Sequence, residues 1–270
     1  MKMTSLLDGS KIYCISPTEG QMLYEHINGY LDHEYINIKE GDTIVDVGAN
    51  IGILGIKLSK MFSNIEIFSF EPFAPIFDVL KKNANITKNK QFNVFPWGIS
   101  DRNEQIDCTY YPNSPALSTA NPDMWNSDQE LIVALQGNLE YSPKNWWWAK
   151  YIPKLMYPYI VRRLRKNPEK IQCELKSLSE SIKECDIQKI DFLKIDCEGN
   201  ELKVLDGIKT SDWEIIKQLV IEVHDIDGRL DYIHNMLKDK NYKVDITKEP
   251  SLEKTALYNI YATLKCQDEK

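Results

Sequence analysis

Thr43-Ile44-Val45-Asp46-Val47-Gly48-Ala49-Asn50-Ile51-Gly52-Ile53-Leu54-Gly55 is the stretch that decides the fold. A short β-branched apolar run meets an Asp, then a Gly-rich turn, then a helix-like pattern. This is a strand, a tight loop and a helix start, the first unit of an open α/β sheet. Ile65 to Phe70 forms a second apolar run that ends in Glu71-Pro72, with Glu71 25 positions after Asp46. An acidic residue at the tip of the second strand can accept both hydroxyls of a nucleoside ribose.

Charge narrows the ligand. A dinucleotide site uses Gly-x-Gly-x-x-Gly so that a pyrophosphate rests on bare amides at the helix start. Gly48-Ala49-Asn50-Ile51-Gly52 lacks that spacing, and Asp46 just before it would repel phosphate. S-adenosylmethionine fits better, because it carries a ribose, an ammonium and a sulfonium but no phosphate. Asp46 can favour its cationic end, Asn50 belongs to the same loop, and Gly48 and Gly52 allow close approach. The plain alternative is a tight turn with a helix-capping Asp.

The bulk composition is that of a soluble globular chain, 43% hydrophobic and 27% charged over 270 residues. That length holds one large α/β domain with an insertion. A net charge of −7 argues against nucleic acid as the general partner. The cysteines at 14, 108, 173, 185, 197 and 266 form no Cys-x-x-Cys pair, which points to reduced thiols in a cytoplasmic protein. No signal-like stretch opens the chain, and no window is apolar enough to span a membrane.

Residues 1–40 read as an N-terminal cap. Lys11–Ile15 is a short strand, and Gln21–Ile38 has helical spacing with Tyr24, His26, Tyr30, His33 and Tyr35 along it. Packing is the bland role for these rings, and a substrate lid the sharper one. Phe73–Thr87 is a helix with Ile76, Phe77, Leu80 and Ala84 on one face. Phe92–Ile99 is a third strand. The adenine ring should lie near its end, with Trp97 flanking the base and Asp101 capping the turn or reaching the exocyclic amine. Ile106–Tyr111 reads as an extra strand.

Residues 112–170 depart from a minimal α/β domain. Pro112–Asn145 is rich in loop-forming residues. Trp146-Trp147-Trp148, Tyr151, Tyr157, Tyr159 and Arg162-Arg163-Leu164-Arg165-Lys166 follow. Residues 141–170 hold eight Lys or Arg against Glu169 alone, so this segment is +7 and the rest of the chain −14. The asymmetry suggests a separate job. It suits a lid for an anionic or amphiphilic acceptor, peripheral contact with a membrane surface, or docking of an acidic carrier. Tyr30, Trp147 and Tyr151 are the candidate acceptor contacts.

Strands resume at Ile171–Leu175, at Ile190–Asp196 and at Leu219–His224, with helices at Leu178–Cys185, after Gly199 and at Arg229–Lys240. Tyr242–Ile246 and Leu257–Leu264 read as a terminal antiparallel hairpin. In an open parallel sheet the ligand sits at the carboxyl ends of the strands. Asp196 and Glu198 end the fourth strand, and Glu222 and His224 end the fifth. A spacing of two puts each pair on one face if the extended conformation persists. Buried strands seldom carry so many ionisable groups without a reason.

On Asp46-Val47-Gly48-Ala49-Asn50-Ile51-Gly52, Phe70-Glu71-Pro72, Phe192-Leu193-Lys194-Ile195-Asp196-Cys197-Glu198-Gly199 with Glu201, and Ile221-Glu222-Val223-His224, the chain resembles the FkbM family of S-adenosylmethionine-dependent methyltransferases. The resemblance covers roughly 40–111 and 171–264. It implies a Rossmann-like, seven-stranded methyltransferase sheet, mostly parallel with a terminal antiparallel hairpin. The domain would span 41–111 and 171–270, with 112–170 as an inserted lid. It also implies methyl transfer to a hydroxyl of a sugar, polyketide or other natural product, leaving S-adenosylhomocysteine.

His224 is the expected general base, because imidazole titrates near neutrality. Glu222 or Glu198 would orient it, and Asp196 would face the methionine ammonium or the acceptor. Lys194 could pair with these carboxylates. A divalent metal on Asp196, Glu198, Glu222 and His224 is a competing account that is not favoured. N-methylation of an amine and a non-catalytic nucleoside-binding protein are the alternative functions. The acceptor's identity and the oligomeric state are not legible.

Overall fold

The computed structural model describes residues 1–121, 127–142 and 146–265. The chain opens with a hairpin of β1 (Lys2–Ser5) and β2 (Lys11–Cys14), then α1 (Pro17–Leu31). The helix begins four residues earlier than its apolar spacing suggests. Pro17 sits in the first turn and the Ser16 hydroxyl accepts from the Glu19 amide, a start signal that outranks periodicity. It stops at Leu31, seven residues short of Ile38.

The main domain runs β3 (Thr43–Val47), α2 (Ile53–Met61), β4 (Glu66–Phe70), α3 (Ala74–Ile86) and β5 (Phe92–Phe95). Then come β6 (Gly98–Ser100), β7 (Glu104–Tyr110), α4 (Asp128–Glu140), α5 (Tyr157–Leu164), β8 (Glu169–Ser177) and α6 (Leu178–Glu184). The chain ends with β9 (Phe192–Ile195), α7 (Glu201–Asp206), β10 (Gln218–His224), α8 (Arg229–Asp239), β11 (Tyr242–Thr247) and β12 (Leu257–Leu264).

Seven strands form one sheet in the order β11-β12-β10-β9-β3-β4-β5. β12 runs antiparallel to both its neighbours, and the pairs from β10 to β5 are parallel. The sheet is the mostly parallel one expected, with its terminal hairpin. Strand order reverses between β3 and β9, so their carboxyl ends open a crevice where such sheets bind ligands. Ile44, Ile67, Phe192 and Val220 pack on one face, and Val45, Phe68, Leu193 and Ile221 on the other. Every residue of β3, β9 and β10 is buried. Their charged members, Asp46, Lys194, Glu222 and His224, are therefore exceptions to be explained.

Two expectations change. The run Phe92–Ile99 is not one strand. It splits at Pro96-Trp97, and β6 leaves to join a second sheet of order β6-β8-β7. The 112–145 region is not loop throughout. Ser127 caps α4, Asp128 and Glu130 lie in its first turn, and Leu131, Leu135 and Leu139 recur every fourth residue on its packed side. Residues 122–126, 143–145 and 266–270, including Cys266, lie outside the described residues. The other five cysteines are free thiols.

Candidate active site

The loop after β3 leaves no amide for a phosphate. The Gly48 and Ala49 N–H groups both donate to the Phe70 carbonyl, at 3.1 and 3.0 Å. Asn50 N–H donates to Glu71 Oε2 at 3.0 Å, Ile51 N–H to the Asn50 side chain, and Gly52 N–H to the Ala49 carbonyl. A pyrophosphate needs those donors free. Asn50 holds φ near +49°, a left-handed conformation that Asn tolerates. Gly48 (φ +71°) is required by the fold itself. A Cβ there would fall 1.8 Å from the Asp196 carbonyl, so the missing side chain lets the tip of β9 approach. Gly52 likewise makes room for Leu80.

Glu71 is nearly sealed. The Phe73 N–H donates to its Oε1 at 3.1 Å and the Asn50 N–H to its Oε2. Each oxygen keeps a lone pair for a further donor. Burial pushes its pKa up to about 7 against those two amides and Lys194. Asp46 and Lys194 are cross-strand partners on one face of β3 and β9. Lys194 Nζ lies 3.3 Å from Asp46 Oδ1 and 3.4 Å from Asp196 Oδ2, and donates to the Gly48 carbonyl at 2.7 Å. Burial works against its charge, but Asp196 and Asp46 outweigh it and hold the ammonium. Burial raises the Asp46 pKa, and Lys194 offsets part of that.

β9 ends at Ile195, so Asp196 and Glu198 do not share a strand face as expected. Glu198 and Gly199 turn through left-handed conformations, φ +50° and +91°. Such a conformation is uncommon for Glu. The turn is tied down by Thr119 Oγ1 donating to the Glu198 carbonyl (2.7 Å) and Asn121 Nδ2 to the Gly199 carbonyl (2.9 Å). The result turns Glu198 into the cavity.

His224 sits behind Glu198, almost fully buried. Its Nε2 is 3.8 Å from Glu198 Oε2 and its Nδ1 3.7 Å from Glu201 Oε1. Glu201, also buried, accepts from the Gly199 N–H and lies 3.4 Å from Arg229. Burial pulls the imidazole pKa down, but Glu201, Glu198 and Glu222 outweigh it and set it at about 9. Burial also raises Glu198 well above the usual carboxylate range. Glu201, which the sequence marks only as part of a motif, supplies the partner at Nδ1 in place of Glu222.

Glu222 faces α1 instead. Tyr30 Oη donates to its Oε2 at 3.2 Å, and His26 Nε2 lies 2.9 Å from the same oxygen. His26 Nδ1 lies 2.9 Å from Glu249 Oε1. Burial opposes the imidazolium of His26, and the two carboxylates outweigh it. His26 borders the cavity beside Asp196 and Glu198. His26 and Tyr30 stand four apart on α1, and that spacing was the one signal that could have joined them. Among the described residues, His26, Asp196 and Glu222 offer metal-ligand atoms within 4.8 Å of one another. Glu198 and His224 are not part of that grouping, so the four-residue metal set expected from sequence is not the one assembled.

These groups surround a cavity that opens to solvent. Gly48, Asn50, Glu71, His26, Asp196 and Glu198 line it, with Ser118–Ala120. Several sequence candidates lie elsewhere. The Trp97 ring packs on Phe95 and Phe70, and its N–H donates to Ser181 Oγ at 3.1 Å, so it is core. Its chain neighbours Gly98 and Ile99 line the cavity instead. Asp101 pairs with Arg102 at the surface. Trp147 and Tyr151 project into solvent. Tyr30 is buried behind His26.

The sequence matches the methyltransferase FkbM domain over residues 46–244. It is 30% identical over 253 residues to methyltransferase sdnD of Sordaria araneosa, covering 90% of this chain and 88% of that one. It is 29% identical over 260 residues to the 31-O-demethyl-FK506 methyltransferase FkbM of Streptomyces tacrolimicus, covering 95% of each. A crystal structure of methyltransferase FkbM from Methylobacillus flagellatus superposes with a TM-score of 0.53 at 13% identity, over 89% of this chain and 51% of that one.

Proposed function

This chain belongs to the FkbM family of S-adenosylmethionine-dependent methyltransferases, and from that premise we propose that it methylates a hydroxyl of a small natural-product-like acceptor. The observation that carries this reading is the Glu201–His224–Glu198 array, which ends at the wall of the cavity that Glu71 also lines. An alcohol is a weak nucleophile until its proton leaves as it attacks, so a base next to the acceptor matters more here than for an amine.

The residues present fit the methyl donor. Glu71 offers acceptor oxygens for ribose hydroxyls, Gly98 and Ile99 offer backbone for the base, and Asp196 offers a carboxylate for the ammonium. Bound there, S-adenosylmethionine supplies an electrophilic methyl carbon on a sulfonium. The chain's own part is to align an oxygen with that carbon and to exclude water. As the new O–C bond forms and the S–C bond breaks, the hydroxyl proton passes to the Glu198–His224 pair. Glu201 fixes the far side of the ring and stabilises the imidazolium.

The relatives' names support the acceptor class, since one of them acts on 31-O-demethyl-FK506. The test is an acceptor screen with deuteriomethyl-labelled donor, read by mass spectrometry and fragmentation. Label on an oxygen of a hydroxylated natural product is the expected result. Label on nitrogen would overturn hydroxyl methylation, and no transfer to any acceptor despite donor binding would point to a nucleoside-binding protein. The scheme needs no metal, so activity should survive exhaustive chelation. Loss with EDTA and recovery with magnesium would instead assign His26, Asp196 and Glu222 a cation.

A further inference from the structure

We propose that residues 146–166 form a docking face for an anionic lipid surface. Half of the large apolar side chains exposed among the described residues lie between Tyr141 and Tyr159. Such clustering exceeds ordinary surface scatter and marks an interaction site. Trp147 is 68% exposed, Tyr151 67% and Leu155 92%, with Trp148, Met156 and Tyr159 beside them in sequence.

The segment is not simply unpacked. Ala149 and Tyr157 are buried with Leu139, and Val161 is buried with Leu131 and Tyr111. Tyr157 and Val161 are four apart on the inner side of α5, while Tyr159, Arg162 and Arg163 face out. The fold therefore holds one set of side chains in place and presents the other.

Charge selects the occupant. Residues 146–166 contain six Lys or Arg and no Asp or Glu. Lys150, Lys154, Arg162 and Arg163 are exposed among the aromatic groups. Arg165 is bound to Asp128, which Arg162 approaches at 3.9 Å. Aromatic rings at the headgroup boundary with Lys and Arg on the phosphates are how an interfacial segment holds an anionic bilayer. The apolar groups project outward from the fold. The acidic remainder of the chain would be repelled by the same surface, which fixes the orientation.

The experiment is flotation of the full chain with vesicles of phosphatidylcholine alone and of roughly 3:1 phosphatidylcholine to phosphatidylglycerol. Two surface variants accompany it, Trp147→Ser/Tyr151→Ser/Leu155→Ser and Lys150→Glu/Lys154→Glu, each checked for fold by circular dichroism. Wild type should float only with the anionic vesicles, with a blue-shifted tryptophan emission and steep loss in salt. Each variant should lose about tenfold or more of that binding. No flotation of wild type, unchanged flotation of the apolar variant, or capture by an acidic carrier protein in place of vesicles would overturn the proposal.

Discussion

Lys194→Met is expected to destabilise the protein by about 3–5 kcal/mol, the cost of leaving buried charge without its partner. Lys194 Nζ stands between Asp46 and Asp196 and holds the Gly48 carbonyl, so one change strips the cation from two carboxylates and from the loop. Asp46 would then take up a proton in the folded state. Its pKa, already raised by burial, would rise further above its unfolded value. A group raised in this way contributes stability at low pH and loses it as pH rises through the folded value. The variant should therefore be less unstable in mild acid than at neutrality, the reverse of an ordinary acidic site. Urea unfolding at both pH values checks this, and Lys194→Met/Asp46→Asn should recover part of the loss. A cost below about 1 kcal/mol at neutrality would show that the three groups are not coupled as the geometry requires.

His224→Ala should lower kcat/KM for an alcohol acceptor by about 10²–10⁴. Donor binding should persist, because the imidazole does not line the cavity. With its pKa at about 9, His224 is mostly imidazolium at neutral pH in the ligand-free protein. The proton-accepting form grows with pH, so kcat/KM should rise through neutrality and level off above about 9. A bound sulfonium adds positive charge beside the pair, so the corresponding limb in kcat should lie lower. Glu201→Gln removes the charge at Nδ1 and should move the kcat/KM limb down in pH. The raised imidazole pKa also contributes stability below its ordinary value and loses it as pH rises through about 9, so folding is to be followed at each point. An unchanged rate in His224→Ala would remove His224 from the chemistry and favour an amine acceptor.

What could be read from the chain was what is local. Asp46, Gly48 and Glu71 sit within one strand-loop-helix-strand unit, and the structure gathers them as the spacing implied. The alternating pair Glu222 and His224 holds because β10 stays extended to His224. Asp196 and Glu198 failed as a strand pair because β9 stops at Ile195 and the chain turns left-handed. His26 was legible only as one ring of a possible lid, because its partner Glu222 lies far along the chain on β10. Trp97 misled because an aromatic at a strand end looks like a base-stacking group, whereas Ser181 and Phe95 make it core.

The measurement that bears most directly on the central claim is isothermal titration of wild type and Glu71→Ala with S-adenosylmethionine, S-adenosylhomocysteine and NAD. Glu71 is the acceptor placed for ribose hydroxyls, and the loop amides 48–52 are all spent within the protein. The account predicts roughly micromolar binding of both adenosyl ligands, a large loss in Glu71→Ala, and none with NAD. Absence of adenosyl binding to well-folded wild type, or equal binding of NAD, would contradict it.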